Sequence, residues 1–176
     1  MKLQQLIEEL DYNLIQGSTD ISISEVVNHT AKVTADSLFV CVKGVRMDSH
    51  DMVDEIIHNG ARALIVSREV SVPSHITVIR VEDTTVALAK VAAAYFEYPA
   101  RKLRMIGITG TKGKTTTSYM VKQILEDAGI KTGLIGTIEV LIGDKKHASL
   151  NTTPESFTLQ SYLKDMVDAG CTSAVM

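Results

Sequence analysis

Cysteine, proline and tryptophan are scarce in this chain of 176 residues, which contains two cysteines, three prolines and no tryptophan. The cysteines, Cys41 and Cys171, form no CxxC pair, so the sequence offers neither a disulfide framework nor a cysteine-based metal site. A reducing, cytoplasmic location is therefore expected. Because Cys41 lies in the apolar run LFVCV, we expect it to be a buried strand residue.

Long apolar runs and a strong charge of either sign are also missing. No stretch approaches the length of a membrane-spanning helix, and the N-terminus MKLQQLIEEL has the pattern of an amphipathic helix rather than of a signal peptide. The net charge of −3 creates no global field that would attract nucleic acid or an anionic membrane. We therefore expect neither as a partner, and an anionic ligand would have to be held by local groups.

Alternating apolar segments predict a small α/β domain over residues 1–98. HDMVDEIIHNG predicts a helix that Gly60 ends, and ARALIVS and ITVIRV predict strands rich in isoleucine and valine. Asp83 is the expected N-cap of an alanine-rich helix that Pro99 stops.

Residues 99–176 predict the beginning of a second α/β domain. LRMIGIT predicts a buried strand, TTSYMVKQILEDAG a helix ended by Gly129, and KTGLIG the next strand, which together make a βαβ unit with parallel pairing. The inner face of the helix is expected to consist of Met120, Val121, Ile124, Leu125 and Ala128.

The end of this second domain predicts three further elements. TIEVLIGDKKHASL predicts a hairpin around Gly143-Asp144, and the segment after NTTPES a helix with Thr153 as N-cap and Pro154 in its first turn. CTSAVM predicts one more strand. Because such a sheet would be unfinished, we expect the chain to be the front part of a longer protein.

The stretch TGTKGKTTT, residues 109–117, has the setting of a phosphate-binding loop. It follows a predicted strand and opens a predicted helix. The standard spacing would place the first glycine at position 108, where the chain has Ile108, so this loop is shorter than the common form.

Each chemical role in such a loop has an occupant. Gly110 and Gly113 allow backbone N–H groups to approach phosphate oxygens, Lys114 can reach the β- and γ-phosphates, and Thr115 can place its hydroxyl on Mg²⁺. No guanine-specifying NKxD motif is present, which favours ATP over GTP. The alternative to a phosphate-binding role is a structural one, in which the glycines end a strand and Lys114 is a solvated surface lysine. The predicted ATP-binding set is completed by Thr111, Lys112 and Thr116.

Two motifs together, TGTKGKTTT and NTTPES, resemble the Mur ligase superfamily and most closely its MurE type. The segment from residue 36 to residue 66 is similar to that family's uridine-nucleotide domain. The resemblance implies a UDP-substrate domain over residues 1–98, followed by the first part of a P-loop central domain with a mostly parallel sheet.

The activity implied by this resemblance is peptidoglycan precursor synthesis. With ATP and Mg²⁺, such a ligase activates UDP-MurNAc-L-Ala-D-Glu as an acyl phosphate and joins it to diaminopimelate or lysine. Lys114 would be the catalytic residue and Thr115 the metal ligand. The family's carbamylated lysine, adenine contacts and amino-acid domain would lie beyond residue 176, so the 176-residue chain alone is expected to be inactive.

The resemblance also implies substrate contacts. NTTPES would meet the muramoyl-peptide, although capping of the following helix, or a Thr152–Glu155 capping box, explains part of that motif. At the uridine end, Thr30 keeps a hydroxyl where the family has serine, while His29 and Ala31 replace its aspartate and arginine. His50 matches the family's DGH pattern. The implied substrate-binding set is Thr30, Val45, Arg46, Met47, Asn151, Thr152 and Thr153.

Two other functions remain open from the sequence. One is another ligase of the superfamily, of the MurF or folylpolyglutamate synthase type. The other is a non-catalytic nucleotide-binding module. A small-molecule P-loop kinase fits less well, because neither the short loop nor the N-terminal segment suits it.

Overall fold

The computed structural model describes residues 1–44, 47–149 and 151–176. The chain divides into two compact units, residues 1–95 and 96–176, each built on a five-stranded sheet. This boundary lies close to the division expected after residue 98. Within the described ranges, no helix has both the length and the apolar character that crossing a bilayer requires.

The first unit has a mostly parallel sheet in the order β1-β5-β4-β3-β2, with β1 antiparallel at one edge. Its strands are β1 (Asn13–Gln16), β2 (Val26–Val27), β3 (Ser37–Val40), β4 (Ala61–Val66) and β5 (Thr77–Arg80). Its helices are α1 (Leu3–Leu6), α2 (Val53–His58) and α3 (Thr84–Tyr95), with 3₁₀ turns at Thr30–Lys32 and Ser49–Met52.

Most of the elements predicted for the first unit are confirmed. The Asp83 carboxylate caps α3 by accepting hydrogen bonds from the N–H groups of Thr85 at 2.7 Å and Val86 at 3.2 Å. Gly60, with φ +113°, follows α2. Cys41 is fully buried directly after β3, and burial raises the pKa of its thiol to about 12. The thiol is therefore unreactive at neutral pH.

The N-terminal segment departs from the expected long helix. It forms only α1, which ends at Leu6 with Ile7 as its C-cap. The N–H groups of Leu3 and Gln4, which have no acceptor within the helix, bond to the carbonyls of Ile21 and Thr19. Leu3, Leu6 and Ile7 are nevertheless buried, as the amphipathic pattern predicted, while Leu10 is half-buried.

The second unit has a mixed sheet in the order β6-β10-β7-β8-β9. The strands β6, β10 and β7 are parallel, and β8 and β9 form an antiparallel hairpin on β7. The strands are β6 (Arg104–Ile106), β7 (Thr132–Ile135), β8 (Glu139–Ile142), β9 (Lys145–Ala148) and β10 (Ser173–Val175). The helices are α4 (Lys114–Asp127) and α5 (Ser156–Asp168), preceded by a 3₁₀ turn at Pro99–Lys102.

The mixed α/β fold class is confirmed, with corrections to two expected features of the second unit. The strands β6 and β7 run parallel but do not pair, because the last strand, β10, lies between them with Ser173 opposite both Arg104 and Thr132. As a result β6 is an edge strand, and its residues Arg104 and Met105 are exposed instead of buried. The predicted hairpin is confirmed, with Gly143 at φ +55° in its turn.

The predicted inner face of α4 is wrong for Met120, Ile124 and Ala128, which are exposed, whereas Val121 and Leu125 are half-buried. Met120 and Ile124 are 61% and 67% exposed, whereas Ser118 and Lys122 are buried. The helix is rotated so that a small serine packs close to the sheet, and its hydroxyl donates to the Thr115 carbonyl at 2.8 Å. Gly129 ends α4 as predicted, with φ +77°.

The predicted start of α5 is also wrong. Glu155 is the N-cap, and its carbonyl accepts the first helical bond from the Leu159 N–H at 2.8 Å. Pro154 therefore precedes the helix, which is compatible with the extended backbone that a proline imposes on the residue before it. Thr153 does not cap the helix, so capping does not account for its position.

Gly133 of β7 allows α5 to pack directly on the sheet. A Cβ at this position would lie 2.2 Å from Met166 Sδ, and Met166 is fully buried. We predict that Gly133→Ala lowers the free energy of unfolding by about 1–3 kcal/mol through overpacking. Urea denaturation measures this, with Gly107→Ala as control because nothing lies within 4 Å of a Cβ there. Equal stability of the two variants would contradict the packing argument.

Candidate nucleotide and substrate site

The phosphate loop leaves the carboxyl edge of the parallel strands of the second unit. Beyond β6 and β10 the pairing continues, since the Met176 N–H donates to the Ile106 carbonyl at 2.9 Å and the Ile108 N–H to the Met176 carbonyl at 2.7 Å. The start of the loop is therefore held by hydrogen bonds to the neighbouring strand. Open α/β sheets bind ligands at this edge.

Two glycines give the loop its shape. Gly113 is the N-cap of α4 in the left-handed conformation, with φ +80° and ψ −6°, and Gly110 has φ +153°. A Cβ on Gly110 would meet no atom nearer than 3.6 Å, and one on Gly113 none nearer than 4.0 Å, so backbone conformation rather than space calls for glycine. The helix that follows directs its unpaired N–H groups and its positive dipole end at the loop.

Lys114 begins α4 and folds back over the loop. Its Nζ donates to the Gly110 carbonyl at 2.5 Å, which places the ammonium against the backbone that would surround a phosphate. The next residue, Thr115, has its carbonyl held by Ser118. The Ser118 side chain thus fixes the first turn of the helix from the following turn.

A cleft of about 600 Å³ lies beside this helix end. Its lining includes Lys114, Thr115 and residues 107–110, and it also includes Thr152 and Thr153. The structure therefore brings together the phosphate loop and the NTTPES motif, which are about 40 residues apart in sequence. A cleft lined by a cation, a helix N-terminus and two threonines can hold two anionic or polar groups near each other.

Other predicted residues of this unit lie outside the cleft lining. Among the described residues, Thr111, Lys112, Gly113 and Thr116 are exposed and do not line it, although Gly113 shapes the helix start. Asn151 is exposed, and its backbone carbonyl accepts a hydrogen bond from the Ser149 hydroxyl at 2.8 Å.

The cleft also includes residues that the motifs did not indicate. Gly136 and Thr137 follow the end of β7, and Ser118 lies on α4. For the first two a signal was available, because the carboxyl ends of parallel strands form the binding edge of such a sheet. Ser118 has no comparable signal, since its inclusion depends on the rotation of α4.

The predicted uridine-end residues follow two neighbouring strands of the first unit. Thr30 begins the 3₁₀ turn after β2, and Met47 follows β3 and is 63% exposed. Because β2 and β3 are parallel partners, both segments leave the same edge of the sheet. Val45 and Arg46, which belong to the same prediction, lie outside the described residues.

His50 joins the segment after β3 to the end of β4. Its ring is buried, with Nδ1 2.5 Å from Asp48 Oδ1 and Nε2 accepting a hydrogen bond from the Ser67 N–H at 3.0 Å. Since a backbone N–H can only donate, Nε2 is the acceptor and Nδ1 carries the proton toward Asp48. Asp48 also accepts from the His50 N–H at 3.0 Å, so it caps the 3₁₀ turn as well.

Three comparisons with known proteins bear on this geometry. Residues 108–176, which include the phosphate loop and NTTPES, match the family model of the Mur ligase middle domain. The predicted Mur ligase resemblance is confirmed.

The chain is 46% identical over 176 residues to a UDP-N-acetylmuramoyl-L-alanyl-D-glutamate–2,6-diaminopimelate ligase of Clostridium perfringens, covering all of this chain and 36% of the relative. It is 42% identical over 177 residues to the Bacillus licheniformis protein of the same name, again covering 36% of it.

Solved Mur ligase structures have the same fold. A structure of a UDP-N-acetylmuramoyl-L-alanyl-D-glutamate–2,6-diaminopimelate ligase matches 99% of this chain and 35% of its own, with a TM-score of 0.74 and 20% identity. MurF from Thermotoga maritima in complex with ADP matches 86% of this chain and 31% of its own, with a TM-score of 0.56 and 29% identity. The chain thus spans about a third of the length of the Mur ligases it matches.

The electrostatics of Asp48 lead to a prediction about pH. Burial opposes ionisation of this carboxyl, but hydrogen bonds from the His50 backbone and ring, with the positive charge of Arg68 nearby, outweigh it and hold the pKa of Asp48 below its usual value. A lowered pKa in the folded state stabilises the protein above the unfolded-state pKa, and this contribution disappears as pH falls through the folded-state value.

We predict that Asp48→Asn lowers the Tm at pH 7 and that the difference from wild type shrinks below pH 4. The asparagine keeps an oxygen that can accept from His50, so the variant removes charge more than shape. Thermal melts at several pH values measure this, with Asp11→Asn as control, because Asp11 is exposed and lies outside the helices and strands. A constant Tm difference from pH 7 to pH 3 would contradict the assignment.

Proposed function

We propose that the protein carrying these residues is an ATP-dependent amide-bond ligase that joins 2,6-diaminopimelate to UDP-MurNAc-L-Ala-D-Glu in peptidoglycan precursor synthesis. The observation that carries this proposal is the cleft that contains both the Lys114 phosphate loop and Thr152 and Thr153. Between the two amino acids that the sequence left open, the names of the curated relatives favour diaminopimelate over lysine.

The first step would transfer the γ-phosphoryl group of ATP to the substrate carboxylate. A carboxylate oxygen forms a bond to phosphorus while the bond from phosphorus to the β–γ bridging oxygen breaks, which yields an acyl phosphate and ADP. Two anions must approach each other for this. Lys114 and the N–H groups at the start of α4 would offset their repulsion and hold the phosphates in position.

The second step would form the amide. The amino group of the incoming amino acid attacks the acyl carbon, phosphate leaves with the bonding electrons, and the nitrogen loses a proton. Phosphate is a good leaving group, so neither step requires a side-chain nucleophile. This chain would contribute positioning of the acyl phosphate by Thr152 and Thr153, which line the cleft near the phosphate loop.

The Thr115 hydroxyl is suited to hold Mg²⁺. It is a hard oxygen donor in the cleft, next to the lysine of the loop, and Mg²⁺ prefers such oxygen ligands together with substrate phosphates. Among the described residues, no cluster of three histidine, cysteine or carboxylate side chains could hold a metal alone. When bound, the ion would neutralise charge on the phosphate oxygens.

The first unit would hold the uridine nucleotide. Thr30 and the loop that contains Met47 leave the same edge of the sheet, and His50 anchors the end of that loop through Asp48 and Ser67. We propose that the reaction takes place in the cytoplasm, since both cysteines are free thiols, which a reducing compartment preserves.

A MurF-type ligase is the second candidate, favoured by the likeness to the ADP complex of Thermotoga maritima MurF. The two differ in their acceptor substrate, and a ligand that binds the folded state raises its Tm. We expect protection by UDP-MurNAc-dipeptide in a thermal shift assay. Protection by the tripeptide form alone would favour the MurF type, and ATP binding without ADP formation would favour a non-catalytic module.

We predict that Lys114→Met, in the complete natural gene product that contains these residues, lowers kcat/KM by about 10²–10³-fold, because a preorganised cation at the transferred group is lost. Release of phosphate with UDP-MurNAc-dipeptide, ATP and diaminopimelate measures it. Lys145→Met is the matched control, since Lys145 is exposed on β9 and outside the cleft lining. Undiminished turnover by Lys114→Met would contradict the proposed function.

We also predict that Thr152→Val and Thr153→Val each raise the KM for the UDP-substrate by about tenfold, the effect of losing one hydrogen bond of about 1.4 kcal/mol. The affinity for ATP should stay within about twofold because the phosphate loop is unchanged. Thr158→Val on the exposed side of α5 serves as control. A KM that does not change in either variant would remove the NTTPES threonines from the substrate site.

A further inference from the structure

We propose that Tyr119 and Glu139 are a positioning pair, which sets the separation between the phosphate loop and the part of the cleft formed by residues 136–137 and 152–153. This inference rests on the proposed function and deepens it. Neither residue lines the cleft or contacts the reacting groups, so both would act through the residues they hold.

Tyr119 belongs to the helix that carries the phosphate loop. It lies one turn after Thr115, and its hydroxyl donates to Glu139 Oε1 at 2.7 Å. A short hydrogen bond from a hydroxyl to a carboxylate oxygen is among the stronger hydrogen bonds in proteins. The Glu139 side chain is 22% exposed, which limits competition from water for its oxygen.

Glu139 begins β8 and fixes the turn that precedes it. Its carbonyl accepts a hydrogen bond from the Gly136 N–H at 3.1 Å, which closes residues 136–139 into a compact turn. Gly136 and Thr137 of this turn line the cleft. The residue whose side chain bonds to Tyr119 therefore also fixes, through its backbone, a part of the cleft surface.

The same turn is connected to the NTTPES segment. The Ile138 carbonyl accepts from the Ser149 N–H at 3.4 Å, and the Ser149 hydroxyl donates to the Asn151 carbonyl at 2.8 Å. Thr152 and Thr153, which follow directly, line the cleft. A continuous set of contacts thus runs from α4 through Glu139 to the proposed acceptor residues.

The proposed chemistry is sensitive to this separation. Reacting atoms must be held about 3–3.5 Å apart and in line, and a misplacement of about 1 Å lowers the rate about 10²-fold. Burial of Tyr119, with the hydrogen bond to Glu139 as a further cause, raises the pKa of its hydroxyl above the usual value. The tyrosine therefore remains a protonated donor throughout the neutral range.

The test uses the complete natural gene product. Tyr119→Phe removes the donor and keeps the ring, and we expect it to lower kcat by about 10- to 100-fold while the Kd for ATP stays within about twofold. Glu139→Ala should behave in the same way, whereas Glu139→Gln, which keeps an accepting oxygen, should retain kcat near that of wild type. The double variant Tyr119→Phe/Glu139→Ala should be no slower than the slower single variant.

A matched control removes the second partner of Glu139. Lys146 Nζ lies 3.9 Å from the same Glu139 oxygen and is exposed, so Lys146→Met should leave kcat unchanged. If Tyr119→Phe keeps the wild-type kcat, or if kcat and ATP affinity fall together with the Tm, the inference is overturned and the pair is merely structural. If the wild-type protein does not join diaminopimelate to UDP-MurNAc-dipeptide, the proposed function fails first and this inference fails with it.

Discussion

The left-handed backbone of Gly113 at the start of α4 is the constraint on which the candidate site depends. It turns the chain sharply from the loop into the helix, so that the N–H groups of the first turn face the loop and Lys114 lies over it. A side chain at this position would be strained in the required conformation, with φ +80°. The proposed binding of phosphate in the cleft depends on this geometry and not on net charge, which is −3 for the whole chain.

The strand order of the second unit gives this helix start its surroundings. Because β10 lies between β6 and β7, three parallel strands end at one edge, and the segments after β6 and β7 both reach the cleft. The hairpin that follows β7 then returns the chain to Ser149, whose hydroxyl bonds to the Asn151 carbonyl just before Thr152 and Thr153. Residues far apart in sequence thus meet through ordinary α/β topology, without any unusual element.

Local signals predicted most of the fold, and they failed where tertiary packing decides. The Asp83 cap, the Gly60 and Gly129 helix ends and the Gly143-Asp144 turn depend on backbone chemistry within a few residues, and all were confirmed. The prediction of the buried face of α4 failed because apolar periodicity does not show which side of the helix the neighbouring sheet will cover. Here the covered side contains Ser118.

The same distinction applies to the site. The phosphate loop was recognisable because its roles are local, and the roles given to its residues stay a prediction. Gly136, Thr137 and Ser118 were missed because their place depends on the strand order and on the rotation of α4. The start of α5 at Ser156 also separates Thr153 from the cap that the sequence suggested. Capping of α5 is therefore no competing role for Thr153 in the proposed substrate site.

A crystal structure of the complete gene product with ADP and Mg²⁺ would test the central claim most directly. We expect the β-phosphate against the backbone N–H groups of residues 111–115, within reach of Lys114 Nζ, and the metal on the Thr115 hydroxyl. A nucleotide bound elsewhere, with Lys114 still bonded to the Gly110 carbonyl and no phosphate at the start of α4, would contradict the account.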